Sequence, residues 1–214
     1  MKLIYISVVT LVVTVICVGV AEADLKSDLR EFVDLAPRNR IGYIAARRYI
    51  VDYQYRAALK YLQSSRFART WLGIRNSTEF HDLLGFLQAH GVSLEALQDV
   101  TGVIDKLPNQ LREFHIPSKV PVSVMMQRNL ESFMREVIQV LPRARYSGLM
   151  ARKVKENGDF ARLYRAVRQQ EFKQMLTKAQ TSPNLMAHWL EMRANYVEVN
   201  SLVQVAYEVI SWGP

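Results

Sequence analysis

Residues that could carry chemistry are few. Four histidines, His81, His90, His115 and His188, show no mutual spacing that would hold a metal ion. His81 and His188 both fall on the predicted fifth helix of a unit and read as exposed or hydrogen-bonded helix residues. The single cysteine, Cys17, lies inside an N-terminal apolar run from Leu3 to Val20 that closes on Ala21-Glu22-Ala23. A basic residue, an apolar stretch and two small residues at the cut site predict a signal peptide over 1–23, with a retained membrane anchor as the alternative. Cleavage after Ala23 would remove Cys17 and with it any disulfide, thiolate ligand or cysteine nucleophile. The chain has no HExxH, no GxSxG and no Gly-rich phosphate loop, so binding without catalysis and without a cofactor is the expectation.

Cations are the more informative charged groups. The formal net charge is +8, and it is segregated. Between Arg38 and Arg75 nine Lys or Arg stand against one acid; between Arg143 and Gln180 ten stand against three. Such blocks predict two positive faces. Arg47, Arg48, Arg152 and Lys153 could flank an entrance and pair with carboxylates or phosphates of an anionic headgroup. A solvated face, or attachment to an anionic membrane surface or matrix, explains the same residues. No aromatic-basic motif for nucleic acid is present.

The two blocks are related by an internal repeat. A shift of 105 positions pairs Pro37 with Pro142, Arg38 with Arg143, Arg47 with Arg152, Phe67 with Phe172, Ser77 with Ser182 and Leu97 with Leu202, without a gap. Two units follow, over 24–105 and 129–214, joined by a connector over 106–128 that carries Pro108, Pro117 and Pro121. Both are expected to fold together as one domain.

Apolar spacing inside each unit is helical. Leu25, Leu29, Phe32 and Val33 form one stripe closed by Pro37; Leu130, Phe133, Met134, Val137 and Ile138 form its mate, closed by Pro142. Further helices are predicted through Ile44; through Tyr55 and Leu59; through Phe67, Trp71 and Ile74; and through Phe80, Leu83, Leu84 and Leu87, with Ser77 or Thr78 as cap and Gly91 as stop. A sixth opens at Ser93, and its mate begins at Val199. No sustained alternation predicts strands, so the fold class is all-α, a duplicated six-helix repeat.

The proline-closed first helices, the Phe80-His81-Asp82-Leu83-Leu84-Gly85-Phe86-Leu87 segment, the Gly91-Val92 step and the terminal Ser211-Trp212-Gly213-Pro214 together resemble the insect allergen-related repeat family, over nearly the whole chain from Asp24. The chain departs from that pattern in its basic excess and internally at Tyr196, which stands where the first unit has Gly91. The resemblance implies a roughly twelve-helix shell around an apolar cavity for fatty acids or phospholipids, in a protein secreted to the gut lumen or microvillar surface. Its lining would fall on Phe32, Ile44, Leu59, Trp71, Leu84, Leu87, Leu97, Phe133, Leu149, Leu163, Leu176, Trp189 and Val205. Periodicity alone reads those residues equally as solid core. A structural or interaction protein acting through its basic faces at the gut epithelial or matrix surface is the alternative function. Asn76-Ser77-Thr78 is a sequon, so Asn76 is a candidate glycosylation site or an accidental match.

Overall fold

The computed structural model describes residues 23–93, 104 and 129–214. The N-terminal apolar segment expected to be a signal peptide, most of the span expected to form the first unit's sixth helix, and the expected connector over 106–128 lie outside the described residues. Eleven helices and no strands are found among those described: α1 (Ala23–Leu35), α2 (Arg38–Val51), α3 (Tyr53–Leu62), α4 (Ser65–Arg75), α5 (Thr78–Ala89), α6 (Leu130–Val140), α7 (Arg143–Glu156), α8 (Asp159–Arg168), α9 (Gln170–Thr181), α10 (Pro183–Ala194) and α11 (Val199–Ile210). The bounds of α2 and α7 differ by 105 at both ends, as do those of α5 and α10. The fourth helix of each half runs for 11 residues in α4 and 12 in α9.

Local chemistry sets these bounds. Pro37 and Pro142 end the preceding helices and supply the carbonyls that receive the first turns of α2 and α7. Asp52 caps α3 by accepting from the Tyr55 amide at 3.2 Å, Ser64 caps α4 through the Phe67 amide, and Ser77 caps α5 through the Phe80 amide. Ser182 repeats the device for α10, with Pro183 in the first turn, where its missing N–H costs nothing.

The α5 and α10 termini answer the question raised by Tyr196. Gly91 has φ +82° and Tyr196 has φ +62°. Val92 N–H donates to the Leu87 carbonyl at 3.1 Å, and Val197 N–H donates to the Met192 carbonyl at 3.0 Å. Both helices therefore close in the same left-handed motif, once with glycine and once without. Tyr196 holds that backbone with its ring edge-on to Tyr53, centroids 6.1 Å apart.

The packing is reciprocal. α1 lies against α7 and α8, while its counterpart α6 lies against α2 and α3; α4 packs on α10 and α5 on α9. Each half thus completes the other. Six helices, α1–α3 and α6–α8, form a dense layer with α11 against α6. There Phe32 stacks on Phe160 at 5.1 Å, the Tyr146 hydroxyl donates to the Phe32 carbonyl at 2.9 Å, and Tyr55 meets Phe133 at 4.8 Å. The chain end is tied down as well. Tyr164 Oη donates to the carbonyls of Ile210 and Pro214, Arg143 lies over the Trp212 ring, and a side chain at Gly213 would collide with Tyr164.

Two glycines give opposite expectations. At Gly91 a Cβ would meet Arg162 Cδ at 3.0 Å in a left-handed backbone, so Gly91→Ala should cost about 1 kcal/mol. At Gly85, inside α5, a Cβ meets nothing within 4 Å, so Gly85→Ala should stabilise by about 0.5–1 kcal/mol. Urea unfolding of both variants checks the pair.

Candidate functional site

The second layer, α4, α5, α9 and α10, is packed differently from the first. α5 is rich in apolar residues yet fully buries only Leu87, and α9 buries only Ala179. Phe80, Leu83, Leu84 and Phe86 on α5, and Phe172, Met175 and Leu176 on α9, are half-buried. Trp71 meets Phe80 edge-on at 5.5 Å, Phe86 tilts against Phe172 at 5.7 Å, and Trp189 Nε1 donates to the Ala179 carbonyl at 3.0 Å. These contacts leave an apolar seam with accessible side chains. Glu79, in the first turn of α5, ties it to the start of α10 by accepting from Ser182 Oγ and from Asn184 Nδ2 at 3.1 Å.

The residues expected to line a cavity divide accordingly. Phe133 and Val205 are 0% exposed and Phe32 is 1%, so all three lie in the packed core. Ile44, Leu59 and Leu163 join them in the dense core. Trp71 and Leu87 sit at the buried edge of the seam, and Leu84, Leu176 and Trp189 are accessible within it. Leu97 lies outside the described residues. Leu149 goes elsewhere: with Leu35, Arg145, Gly148, Arg152, Glu31 and Asp34 it lines an open cleft of about 440 Å³ between α1 and α7.

The four candidate headgroup cations lie in two clamps. Arg48 is buried; its Nε donates to Glu136 at 2.9 Å, and its Nη1 reaches Ser132 Oγ at 3.1 Å and Asp52 at 3.4 Å. Arg47 bonds the other Glu136 oxygen. The same pattern recurs 105 positions on. Lys153 is buried against Asp28, Glu31 at 2.8 Å and Glu156 at 3.2 Å, and Arg152 bonds Glu31. Arg152 borders the α1–α7 cleft, so Arg152 and Leu149 are the one predicted cation and predicted apolar residue brought together in a surface site. The acids Glu31 and Glu136 were not singled out from sequence, although they stand in the same 105 register.

Electrostatics follow from this geometry. Burial by itself would lower the Lys153 pKa, but hydrogen bonds to Asp28, Glu31 and Glu156 override it and hold the ammonium above its ordinary range. The hydrogen bond from Lys153 holds Glu31 below the usual carboxylate value. Burial pushes the Tyr207 hydroxyl up to about 12 while it donates to the Val167 carbonyl. His81 bonds the Ser77 carbonyl at 2.7 Å, His90 bonds the Phe86 carbonyl at 2.8 Å and stacks on its ring, and His188 is half-buried against Gly73. His115 lies outside the described residues. Among those residues no group of three or more His, Cys, Asp or Glu could hold a metal ion, and no helix is long and apolar enough to cross a membrane.

Two measurements test the clamps. Arg48→Met removes the cation facing the fully buried Asp52 and should cost about 3–5 kcal/mol, whereas exposed Arg47→Met should cost under about 1 kcal/mol in the same urea titration. Because the folded Glu31 pKa is lowered from 4.5, its contribution is complete above that value and is lost as pH falls through the lower, folded one. Glu31→Gln should therefore make the acid limb of the stability profile shallower.

Comparison with known proteins agrees with the expectation raised by the sequence. The chain is similar to Protein G12 of Anopheles gambiae, 26% identical over 194 residues that cover 88% of each protein. A family model described as insect allergen related repeat, nitrile-specifier detoxification, matches residues 24–203. With most of both helical layers inside that match, the chain belongs to the insect allergen related repeat family.

Proposed function

We propose that this chain is a secreted carrier or sequestering protein for fatty acids or similar amphiphiles, acting without covalent chemistry. The observation that carries this reading is the contrast between the layers. Phe80, Leu84, Phe172 and Leu176 of α5 and α9 keep accessible surface, while Phe32, Ile41, Tyr55 and Phe133 of the first layer are buried. An acyl chain laid along Phe80, Leu84, Phe172 and Leu176 gains about 0.8 kcal/mol for each methylene it buries. The flexible thioether of Met175 beside them adapts to chains of different length.

In this reading the two units are copies of one six-helix repeat that fold as a single domain. The second half is described with all six helices, α6–α11, and the first with five, α1–α5. Secretion follows removal of residues 1–23, and the mature chain is glycosylated at Asn76. That residue is exposed at the C-cap of α4, and Thr78 of the sequon is exposed too. Phospholipid is the second ligand class, and exposed Arg145 at the α1–α7 cleft is the cation offered to a headgroup. The rival, a surface-acting structural protein, is weakened because the cations it relied on are engaged by internal carboxylates.

The test is mass spectrometry of an organic extract of the protein secreted by insect cells, against a denatured-protein blank. Stoichiometric fatty acid or phospholipid above the blank is expected. Leu84→Trp and Leu176→Trp, which fill the seam, should each lower oleate uptake about tenfold, the equivalent of roughly two lost methylene contacts; Arg47→Met should leave it unchanged. A clean extract together with no uptake of added oleate would overturn the proposal.

A further inference from the structure

The offset of 105 gives every surface position a mate, and that comparison isolates one face. Exposed apolar side chains are common on proteins and need no explanation singly. Here Leu72 on α4 and Met186 and Leu190 on α10 are 54%, 44% and 55% exposed. Their mates are Thr177, His81 and Gly85, on the pseudo-symmetric pair α9 and α5. Ala68 and Ala187, exposed on the same two helices, stand opposite Lys173 and Asp82. The fold therefore does not require apolar residues at these positions.

α4 and α10 run side by side. Arg66 pairs with Glu191 between the two helices, and Gly73 admits the His188 ring where any side chain would collide with it. Phe67, Trp71 and Ile74 of α4 and Leu185 and Met192 of α10 are buried, so Leu72, Met186 and Leu190 lie on surfaces turned away from the core. The charge on these two helices is one-sided as well. They carry Arg66, Arg69, Arg75 and Arg193 against the single acid Glu191. Arg69 is exposed, with no carboxylate partner among the described residues, and its mate is Gln174.

We infer that the outer face of α4 and α10 docks on an anionic phospholipid surface, Leu72, Met186 and Leu190 entering the acyl boundary and Arg69 meeting the headgroups. Apolar side chains bordered by arginines, with the one acid Glu191 already paired to Arg66, are the composition an anionic interface selects. A polar protein partner would match mixed charge instead. The inference does not depend on the carrier reading, because a solid interior leaves this face unchanged.

The experiment is co-sedimentation of the protein, as secreted by insect cells, with phosphatidylcholine vesicles with and without phosphatidylserine. Binding to the phosphatidylserine vesicles is expected. The triple variant Leu72→Ser, Met186→Ser, Leu190→Ser should lower it at least about tenfold, and Arg69→Gln about fivefold, on anionic vesicles alone. Lys178→Gln, on the mate helix α9, should leave it unchanged. All these side chains are exposed, so thermal unfolding should not move. Absence of vesicle binding, or equal binding by the triple variant, would overturn the inference. So would a shift from dimer to monomer in sedimentation velocity with vesicle binding retained, which would assign the face to a second copy of this chain.

Discussion

The architecture depends on a reciprocal charge clamp between the first helix of each half and the second helix of the other. Glu136 on α6 holds Arg47 and Arg48 of α2, and Glu31 on α1 holds Arg152 and Lys153 of α7. In each pair of cations one is buried and one exposed. The buried member is costly to bring out of water and is tolerated because several oxygens surround it. Its value lies in register: a helix displaced by one turn would leave a buried cation without those oxygens.

Apolar packing supplies the driving force that the clamps orient. Phe32, Phe133, Tyr55 and Phe160 fill the space between α1–α3 and α6–α8, and burial of such side chains is worth about 1.5–3 kcal/mol each. Because each first helix packs on helices of the opposite half, neither first helix is fully buried without the other half. A fold completed in this way has one cooperative core and leaves the fourth and fifth helices as a second, looser layer. The accessible seam and the apolar outer face both belong to that layer, where side chains can be exchanged without disturbing the clamps.

Near-symmetry with selected departures is the pattern throughout. Gly91 and Tyr196 adopt the same left-handed backbone, although only glycine adopts it without steric cost. Tyr196 keeps its side chain in contact with Tyr53. Gly148, the mate of exposed Tyr43, opens the α1–α7 cleft beside Arg145 and Arg152. Helices paired at the offset of 105 thus share their backbone course, and the departures separate one half's surface from the other's.

Sequence by itself determined the helices, their caps, the two proline stops and the offset of 105, because those follow from local spacing and backbone geometry that a few residues control. It also carried the family. Tertiary structure alone decided what the cations and the apolar stripes do. Arg48 and Lys153 read as surface charges beside Arg47 and Arg152, yet their fate is set by carboxylates about a hundred residues away, Glu136 and Glu31, which helical periodicity does not encode. Likewise Phe133 and Leu84 carry the same apolar signal, and only the neighbours brought by folding make one a sealed core residue and the other part of an accessible seam.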